Sequence, residues 1–572
     1  MKSRFLGGVG VLAALLGMLL LSTPAASAAA AVNQTFWVSK NPVSAPHNSC
    51  THPAFNTIQA AINAVTTPAG TVRVCPGTYS EQLTLNKNIS IISAGAPQPV
   101  VTYPATPVAS TCNPSPTAGV GDYDVVDVCS HTLTIDNMSI AGPYGSLNCT
   151  IDDFGIAVTG GATLKASGVN VKNIRQDPLN GCQGGIGILV GRQSTNNVGH
   201  AVLYHVNVVN YQKGGLEVSN GGSTATVTGT NINGPGETNQ IAPNGVEVID
   251  GGLLNMQGGA VNGNECDVNV CGPNPETQTQ SGGFLLIDPA VHTQIQNTQI
   301  SNNDIGIYNF VGPDTFTNPI YPSTGAVPLI NNVALNNNRY EGILFDSGKA
   351  VVKKSVISGG QYGAAIYTYV GQSPAPAGTV YGSQITGATT DGVVALNDGS
   401  ADPFAPNLNV NNSGITGNAY GVQNNDYPSM ISAQKDWWGD PTGPSDWSFG
   451  SGNATSANVN FFPWATASNG ATMAACNQTG ATINDNTASG NVILCAASTG
   501  SSTIQETGGA NVLVVGGGSG DTETGGTGND YLIGTSGNDT LNALAGASSS
   551  LQGRGGTDTC VPSGTNARTD HC

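Results

Sequence analysis

The chain has 572 residues, of which 78 are glycine and only 9% are charged, and its formal net charge at pH 7 is −18. An acidic surface of this kind repels nucleic acid and anionic membranes, so we expect neither as a partner. Low charge with many glycines and small polar residues is typical of stacked polar ladders or of disorder. The regular apolar repeats described below favour the ladders.

Residues 1–28 are predicted to be an export signal. Lys2 and Arg4 give a basic start, an apolar run covers 5–21, and small residues at 26–28 suit a cleavage site. The alternative is a membrane anchor, but the run is short and interrupted by glycine, and no later segment is apolar enough to span a bilayer. We therefore expect a secreted protein, extracellular or on the cell surface, and a bacterial source.

Export makes the 12 cysteines informative, because thiols oxidise outside the cytosol. Zinc binding is the alternative, but the sequence contains no Cys-x-x-Cys pair and its histidines are scattered. Sequence does not fix the connectivity, yet the cysteines fall into local pairs. The expected disulfides are Cys50–Cys75, Cys112–Cys129, Cys149–Cys182, Cys266–Cys271, Cys476–Cys495 and Cys560–Cys572.

Residues 29–130 are predicted to form an N-terminal cap and the first coils of a repeat. Apolar residues between Phe55 and Val65 recur at helical spacing, with Asn56 or Thr57 available as the N-cap. Short strands are expected at 71–75, 83–85 and 89–92. A helix laid over the first coil would shield both its apolar end and its unpaired strand edges.

Residues 131–430 repeat one phrase at intervals of 21 to 38 residues: a glycine, an apolar residue, any residue and a second apolar residue. The alternation predicts strands, and repetition at this period predicts a stack of coils. A β-propeller would need longer and more even blades. We therefore expect an all-β, right-handed parallel β-helix, whose phrases begin at Gly155, Gly187, Gly215, Gly245, Gly283, Gly306, Gly342, Gly363, Gly392 and Gly421.

Residues 431–465 are rich in aromatic and turn residues, including Trp437 and Trp438. They are interpreted as a plug at the exit end, because large aromatic rings cover apolar surface efficiently; a sugar-stacking platform is the alternative. Residues 466–505 are predicted to be a linker or a small strand pair.

Residues 506–572 carry a glycine–aspartate repeat. Residues 525–533 match the nonapeptide Gly-Gly-x-Gly-x-Asp-x-apolar-x, and 534–542 lack only one of its glycines. Such glycines permit a tight turn and the aspartates offer charged oxygen ligands. The segment resembles the RTX-type calcium-binding β-roll. The resemblance implies Ca²⁺ as cofactor, one or two ions, and Asp521, Asp530, Asp539 and Asp558 as ligands; a flexible glycine-rich tail is the alternative.

The coils resemble the exported pectate-lyase-like β-helix proteins. The resemblance rests on the 55–65 helix followed by 74–79 at the entry, and on Trp437-Trp438-Gly439 near the exit. It implies a polysaccharide ligand. The known catalytic signatures are missing: only Asp152-Asp153 of the polygalacturonase pattern is complete. The Tyr-Gly-x-Asp-Pro-His motif of mannuronan epimerases, which also join a β-helix to RTX modules, does not occur.

Alignment of the coils gives an independent candidate site. Two residues after the glycine, neighbouring coils carry Glu217 and Glu247, which we expect about 5 Å apart. Five residues after the glycine, the same face is predicted to carry Arg192 and Asp250, together with Asn220 and Asp288. Carboxylates beside an arginine suit acid–base chemistry or cation binding. The alternative is an ordinary solvated polar face.

Two functions remain open from the sequence. The first is a calcium-binding β-helix protein that binds, and in one version processes, an acidic extracellular polysaccharide or cell-wall glycan as a lyase, epimerase or hydrolase. The second is a non-catalytic surface or matrix protein whose coils form a rigid stalk.

Overall fold

The computed structural model describes residues 34–67, 69–115, 121–145, 149–272, 281–310, 325–368, 376–397, 407–425, 430–445, 450–544, 548–564, 567–570 and 572. The export signal expected at 1–28 lies outside these residues. In the part of the chain that is described, no helix has the length and apolarity needed to cross a membrane.

The chain winds into a right-handed parallel β-helix with three long sheets, here named A, B and C, to which successive coils add parallel strands. Sheet A contains Thr35–Val38, Gly70–Val74, Ile89–Ser93, Thr132–Asp136, Ala162–Ser167, Gly199–Tyr204, Thr224–Thr228, Leu253–Gln257, Gln294–Gln296, Leu329–Asn331, Lys349–Lys353, Ala377–Tyr381, Asn407–Asn411, Ile431–Ser432 and Val459–Asn460. Sheet B contains Thr78–Ser80, Val100–Thr102, Ser139–Ala141, Asn170–Lys172, Asn207–Val209, Asn231–Thr238, Ala260–Cys266, Gln299–Ser301, Ala334–Asn336, Val356–Ser358, Gln384–Thr386 and Gly414–Thr416. Sheet C contains Leu83–Leu85, Gly121–Val128, Ile151–Val158, Ile186–Val190, Gly214–Ser219, Asn244–Ile249, Gly282–Ile287, Ile305–Phe310, Glu341–Asp346, Tyr362–Thr368, Asp391–Asn397 and Tyr420–Asn424.

A second, smaller solenoid follows, here named the roll, with two parallel sheets D and E. Sheet D contains Gln478–Gly480, Asn491–Ala496, Asn511–Val515, Asp530–Ile533, Ser549–Gln552 and Arg568–Asp570. Sheet E contains Thr482–Asp485, Thr503–Glu506, Thr522–Thr524, Thr540–Asn542 and Thr559–Val561. Residues 466–505, predicted to be a linker or a small strand pair, contain strands from position 478 onward, and these strands belong to both sheets of the roll even though they lack the nonapeptide glycines.

The ten phrase-initial glycines all lie in sheet C, one above the other. A Cβ on Gly155 would lie 2.5 Å from the carbonyl oxygen of Gly187, and a Cβ on Gly245 would lie 2.6 Å from that of Gly283. The repeat therefore requires glycine because the backbones of adjacent coils approach closely at this corner. On either side of the following variable position, residues such as Leu216 and Val218 are fully buried in the core.

The asparagines between phrases form a ladder inside the turns. Asn264 Nδ2 donates to Asn303 Oδ1 at 2.8 Å, and Asn303 Nδ2 donates to Asn338 Oδ1 at 3.0 Å. All three side chains are buried, so each amide satisfies its neighbour where water is excluded. The ladder explains the asparagine content that precedes many of the phrases.

The entry end is covered by the predicted helix, which spans Ile58–Ala64. Thr57 occupies the N-cap position but its side chain makes no capping hydrogen bond. Instead, the carboxylate of Glu81 accepts hydrogen bonds from the backbone N–H groups of Ile58 and Gln59, both at 3.0 Å. A carboxylate there also compensates the positive end of the helix dipole. Among the residues that the structure describes, the other helical pieces are Val268–Cys271 and the 3₁₀ turn Gln193–Thr195.

The aromatic segment covers the exit end. Trp438 is fully buried, and Trp464 and Phe461 are nearly so. The Phe461 ring also packs against Tyr531 of the roll, with ring centroids 5.5 Å apart. These positions agree with the predicted plug and leave Trp438 no exposed face on which a sugar could stack.

All six predicted disulfides are confirmed. They join residues between 5 and 33 positions apart, so each bond acts locally.

The close approach at the glycine column predicts a stability defect on adding one methyl group. In Gly363→Ala the new Cβ would lie 2.5 Å from the Gly392 carbonyl oxygen and 2.6 Å from a methyl carbon of Ile385. We expect a loss of about 1–3 kcal/mol, the usual cost of overpacking a rigid core. Urea unfolding followed by circular dichroism measures it. Gly95→Ala is the matched control, because no atom lies within 4 Å of its added Cβ; equal midpoints for both variants would contradict the explanation.

Candidate functional site

The outward face of sheet C carries the predicted carboxylate pair. Strand register places Glu217 directly opposite Glu247 on the adjacent parallel strand, as the alignment of the coils predicted. Glu217 is partly exposed, whereas Glu247 is 8% exposed. Neighbouring strands lie about 4.8 Å apart, so the two carboxyl groups can act on a common partner.

The two carboxyl groups have different surroundings. Asn244 Nδ2 donates a hydrogen bond to Glu247 Oε1 at 2.8 Å, which fixes the orientation of that side chain. Desolvation, followed by the negative charge of Glu247, raises the pKa of Glu217 to about 8, against a partial opposing effect of Arg192. The raised pKa favours the protonated form of Glu217 at neutral pH, and its neighbour Glu247 is held by an amide.

Arg192 lies near this pair but is engaged elsewhere. Its guanidinium forms ion pairs with Asp122 and, at 3.2 Å, with Asp152, and it stacks over the Phe154 ring at 5.5 Å from the centroid. The side chain reaches back across two coils to these partners, which are themselves paired in the register of sheet C. The sequence analysis did not assign Asp122 or Asp152 to this arginine; pairing of their two strands was the signal that could have found them.

Asp250 does not lie on the sheet face as predicted. Its strand ends at Ile249, and Asp250 adopts a left-handed backbone with φ of 52° in the turn that follows. Asn220 and Asp288 have left-handed backbones at the equivalent positions, with φ of 82° and 46°. The column is therefore set by turn geometry, which Asn and Asp tolerate better than most residues. Burial raises the pKa of Asp250 above its usual range.

Most of the remaining outward column is apolar and covered. Leu189, Leu344 and Val394 are buried, and Leu285 and Tyr308 are partly buried. The excursions 262–282 and 310–328 are predicted to cover this face, and the segments 273–280 and 311–324 within them lie outside the described residues. Glu217 and Glu247 therefore lie between two apolar neighbours in this column, Leu189 and Leu285.

In the roll, three of the predicted calcium ligands share one side. Asp521, Asp539 and Asp558 each precede a strand of sheet E, 18 and 19 residues apart. Asp539 Oδ1 accepts the backbone N–H of Asp521 at 2.6 Å, and Asp558 Oδ1 accepts that of Asp539 at 2.7 Å. Asp521 likewise accepts the N–H groups of Ser502 and Gly517. These carboxylates therefore tie one coil to the next.

The fourth predicted ligand, Asp530, lies on the opposite side, at the start of a strand of sheet D. It is 1% exposed and neither carboxylate oxygen has a hydrogen-bond partner. Desolvation is the main cause that raises its pKa to about 7, and the nearby Glu506 adds to it. Glu506 is also fully buried, with Oε2 unpartnered.

Glu506 was missed by the sequence analysis because it stands outside the nonapeptide consensus. Its strand register, which pairs it with Asp485 of the preceding coil, is the signal that could have found it. Oxygen atoms of buried carboxylates without donors are suitable ligands for a hard cation such as Ca²⁺. Asp530 and Glu506 therefore offer unpartnered oxygens to a cation, whereas all four carboxylate oxygens of Asp521 and Asp539 already accept backbone N–H groups.

Among the described residues, one group of three possible ligands of the Asp, Glu, His or Cys type lies within 4.8 Å: Cys112, Asp127 and Cys129. The two sulfur atoms are joined in a disulfide, so they are not available as thiolate ligands.

The raised pKa of Glu217 predicts a pH-dependent stability difference. Between its ordinary pKa of 4.5 and about 8, the unfolded chain releases the proton and the folded chain keeps it, so this group lowers stability as pH rises through that window. Glu217→Gln should therefore raise the urea midpoint relative to wild type more at pH 9 than at pH 5, measured in EDTA. Glu237→Gln, at a 53% exposed side chain, is the control. An equal difference at both pH values would contradict the assignment.

No protein-family model matches the sequence, and no curated protein sequence matches it. Among solved structures, the chain is similar to the A-module of mannuronan C-5 epimerase AlgE4 from Azotobacter vinelandii, at 14% identity over 71% of this chain and 92% of that one, with a TM-score of 0.33. It is also similar to the GH136 lacto-N-biosidase from Eubacterium ramulus (11% identity, 65% and 66% covered, TM-score 0.41) and to an alginate lyase from a Paenibacillus species (12%, 74% and 99%, TM-score 0.23). At these identities the likeness is one of fold, and by its own three parallel sheets the chain is a right-handed parallel β-helix protein.

Proposed function

We propose that this chain is an extracellular protein that binds a polysaccharide on sheet C and cleaves it at the Glu217–Glu247 pair. The observation that carries the proposal is the strand register that places Glu217, whose pKa is raised to about 8, beside a second carboxyl group on the adjacent strand. Six disulfides suit an oxidising extracellular setting, and the polysaccharide-acting proteins with similar coils support the ligand class.

The chemistry follows from the two environments. Glu217 donates its proton to the glycosidic oxygen as the bond to the anomeric carbon breaks, and the Glu247 carboxylate forms a bond to that carbon. The Glu217 carboxylate then takes a proton from water, whose oxygen displaces Glu247 and restores both groups. A spacing near 5 Å is the one that retaining glycosidases use, so the product keeps the anomeric configuration of the substrate.

The local charge bears on the substrate class. Arg192 is committed to Asp122 and Asp152, so its positive charge is largely compensated. With Glu247 also present, the site favours uncharged sugar rings, or acidic sugars bridged by a cation. The proposal therefore does not specify an acidic glycan, and acidic polysaccharides are tested beside neutral ones.

We expect turnover of at least one member of a panel of neutral and acidic polysaccharides, assayed with and without calcium. Reducing ends report hydrolysis, and absorbance of unsaturated products reports the lyase reaction. Glu217→Gln should lower kcat by about 10²–10⁴-fold, the usual contribution of a general acid. Asp177→Asn, at an exposed residue, is the matched control.

The 8% exposure of Glu247 favours one alternative, a non-catalytic surface or matrix protein that binds glycan with its coils. Glycan binding without turnover, unchanged in Glu217→Gln and Glu247→Gln, would support this alternative and contradict the catalytic assignment.

We also propose that the roll binds calcium between Glu506 and Asp530. Both side chains are buried, and three of their oxygen atoms have no donor, so a cation would remove a large desolvation penalty. Asp521, Asp539 and Asp558 would then hold the coils in register on the other side.

Calcium should raise the thermal stability of the full chain by an amount that follows its concentration, about 2.7 kcal/mol at 100 times the dissociation constant. The double variant Glu506→Gln/Asp530→Asn should lose this part of the response, measured as the shift in Tm on adding calcium to protein in EDTA. Asp177→Asn should respond as wild type. A full response in the double variant would remove the calcium site from the roll.

A further inference from the structure

A cavity of about 380 Å³ lies at the entry end, against the outward face of the first strands of sheet C. The segment 104–111 forms one wall, and the Cys112–Cys129 disulfide and a hydrogen bond from Ser110 N to Asp122 O at 2.7 Å hold that segment in place. The described lining contains no lysine or arginine; it comprises Gln82, Leu83, Thr84, Pro104, Val108, Ala109, Ser110, Thr111, Asp124 and Asp127.

Two buried carboxylates face this cavity without adequate partners. Asp124 is 2% exposed, and neither of its carboxylate oxygens has a hydrogen-bond partner. Asp127 is 4% exposed; its Oδ2 accepts a hydrogen bond from Ser110 Oγ at 2.5 Å, while its Oδ1 has no partner. Three carboxylate oxygens thus meet one cavity with no donor, an arrangement that proteins seldom leave uncompensated.

The strand geometry explains why both side chains lie on one face. Asp124 pairs with Phe154 and Val126 pairs with Ile156, so position 125 is skipped in the ladder. Val125 and Val126 are both fully buried, which breaks the alternation of the strand and turns Asp124 and Asp127 outward together. The skipped position is the one that glycine occupies in later coils.

Neighbouring charged groups do not neutralise the pair. Arg192 forms its ion pairs with Asp122 and Asp152 rather than with Asp124 or Asp127. Burial, followed by the charge of Asp127, raises the pKa of Asp124 well above its usual range. Burial also raises the pKa of Asp127 to about 6. Protonation of both groups is thus the alternative to a bound cation.

We propose that this cavity is a calcium site in which Asp124 and Asp127 supply the charged ligands and water molecules complete the coordination. Calcium suits it because the offered ligands are oxygens, which come from two carboxylates on one strand. The cavity has room for water, and calcium accepts six to eight ligands in flexible geometry, unlike the stricter octahedron of magnesium. The nearby sulfurs are closed in a disulfide, which disfavours zinc.

A cation bound at this site would also affect Arg192, through hydrogen bonds made by Ser110 and Asn113. Ser110 Oγ, which donates to Asp127, accepts the backbone N–H of Asn113 at 2.9 Å. Asn113 Oδ1 in turn accepts from Arg192 Nη1 at 3.4 Å. A cation that fixes Asp127 therefore also fixes the segment that contacts this arginine.

The test is equilibrium dialysis of the full chain against calcium, with thermal unfolding in EDTA and in calcium. Asp124→Asn/Asp127→Asn should bind one calcium fewer per chain than wild type and lose part of the calcium-dependent shift in Tm. The loss should add to that of the roll variant Glu506→Gln/Asp530→Asn, so the two sites are distinguished, and Asp177→Asn should bind as wild type.

Protonated carboxyls would give a different result. The double variant would then bind as much calcium as wild type, and any change in Tm would be the same in EDTA and in calcium; this outcome overturns the proposal. Asp124→Asn alone, which preserves the side-chain shape and the Ser110–Asp127 hydrogen bond, gives the same discrimination if the double variant does not fold.

Discussion

The whole structure depends on the parallel hydrogen bonding of each coil to the next. Parallel ladders keep equivalent positions of successive coils one strand spacing apart. Each side chain therefore lies about 4.8 Å from the equivalent side chains of the coils on either side, and must be compatible with them. At the glycine corner the backbones approach so closely that a side-chain carbon is excluded. This geometry requires glycine in the column, and it also leaves the outward position two residues later able to accept different residue types.

The same stacking gives the acidic groups their unusual properties. Glu217 and Glu247 are neighbours because their strands are neighbours, and Asp122 and Asp152 are neighbours for the same reason. In a solvated loop such pairs would separate, whereas the register of a sheet holds them together. Arginine 192 reduces the repulsion at one pair by lying across coils. Functional groups in this fold are therefore brought together at equivalent positions of adjacent strands, and not within a short sequence motif.

Much of the architecture could be predicted, because it follows from local patterns. The glycine phrases predicted ten of the twelve strands of sheet C, and local cysteine pairs predicted all six disulfides. The helix at Ile58–Ala64 was also predicted, but not its cap, since Glu81 lies between two strands more than twenty residues away. The stacking of the strands after position 478 onto the repeats was missed, because this segment lacks the nonapeptide pattern of glycines and aspartate.

The site was less predictable for a similar reason. Alignment of the phrases brought Glu217 beside Glu247, since both follow the glycine by the same number of residues. The alignment could not place Asp250 in a turn, because the left-handed backbone of that residue departs from the repeat. It also could not predict the ion pair between Arg192 and Asp122, because the long arginine side chain extends across two coils. Asp124 and Asp127 were hidden because their coil has valine where the later phrases have glycine.

The short reach of the disulfides has a consequence for assembly. None joins residues more than 33 positions apart, which is about the length of one coil. Each bond can therefore form as soon as its own coil and the next have been added, with no need for distant parts of the chain to meet. Folding can then advance along the axis from the covered entry end, with each finished coil serving as the template for the following one. In such a growth process a mispaired cysteine would disturb one layer of the stack and leave the layers beneath it intact.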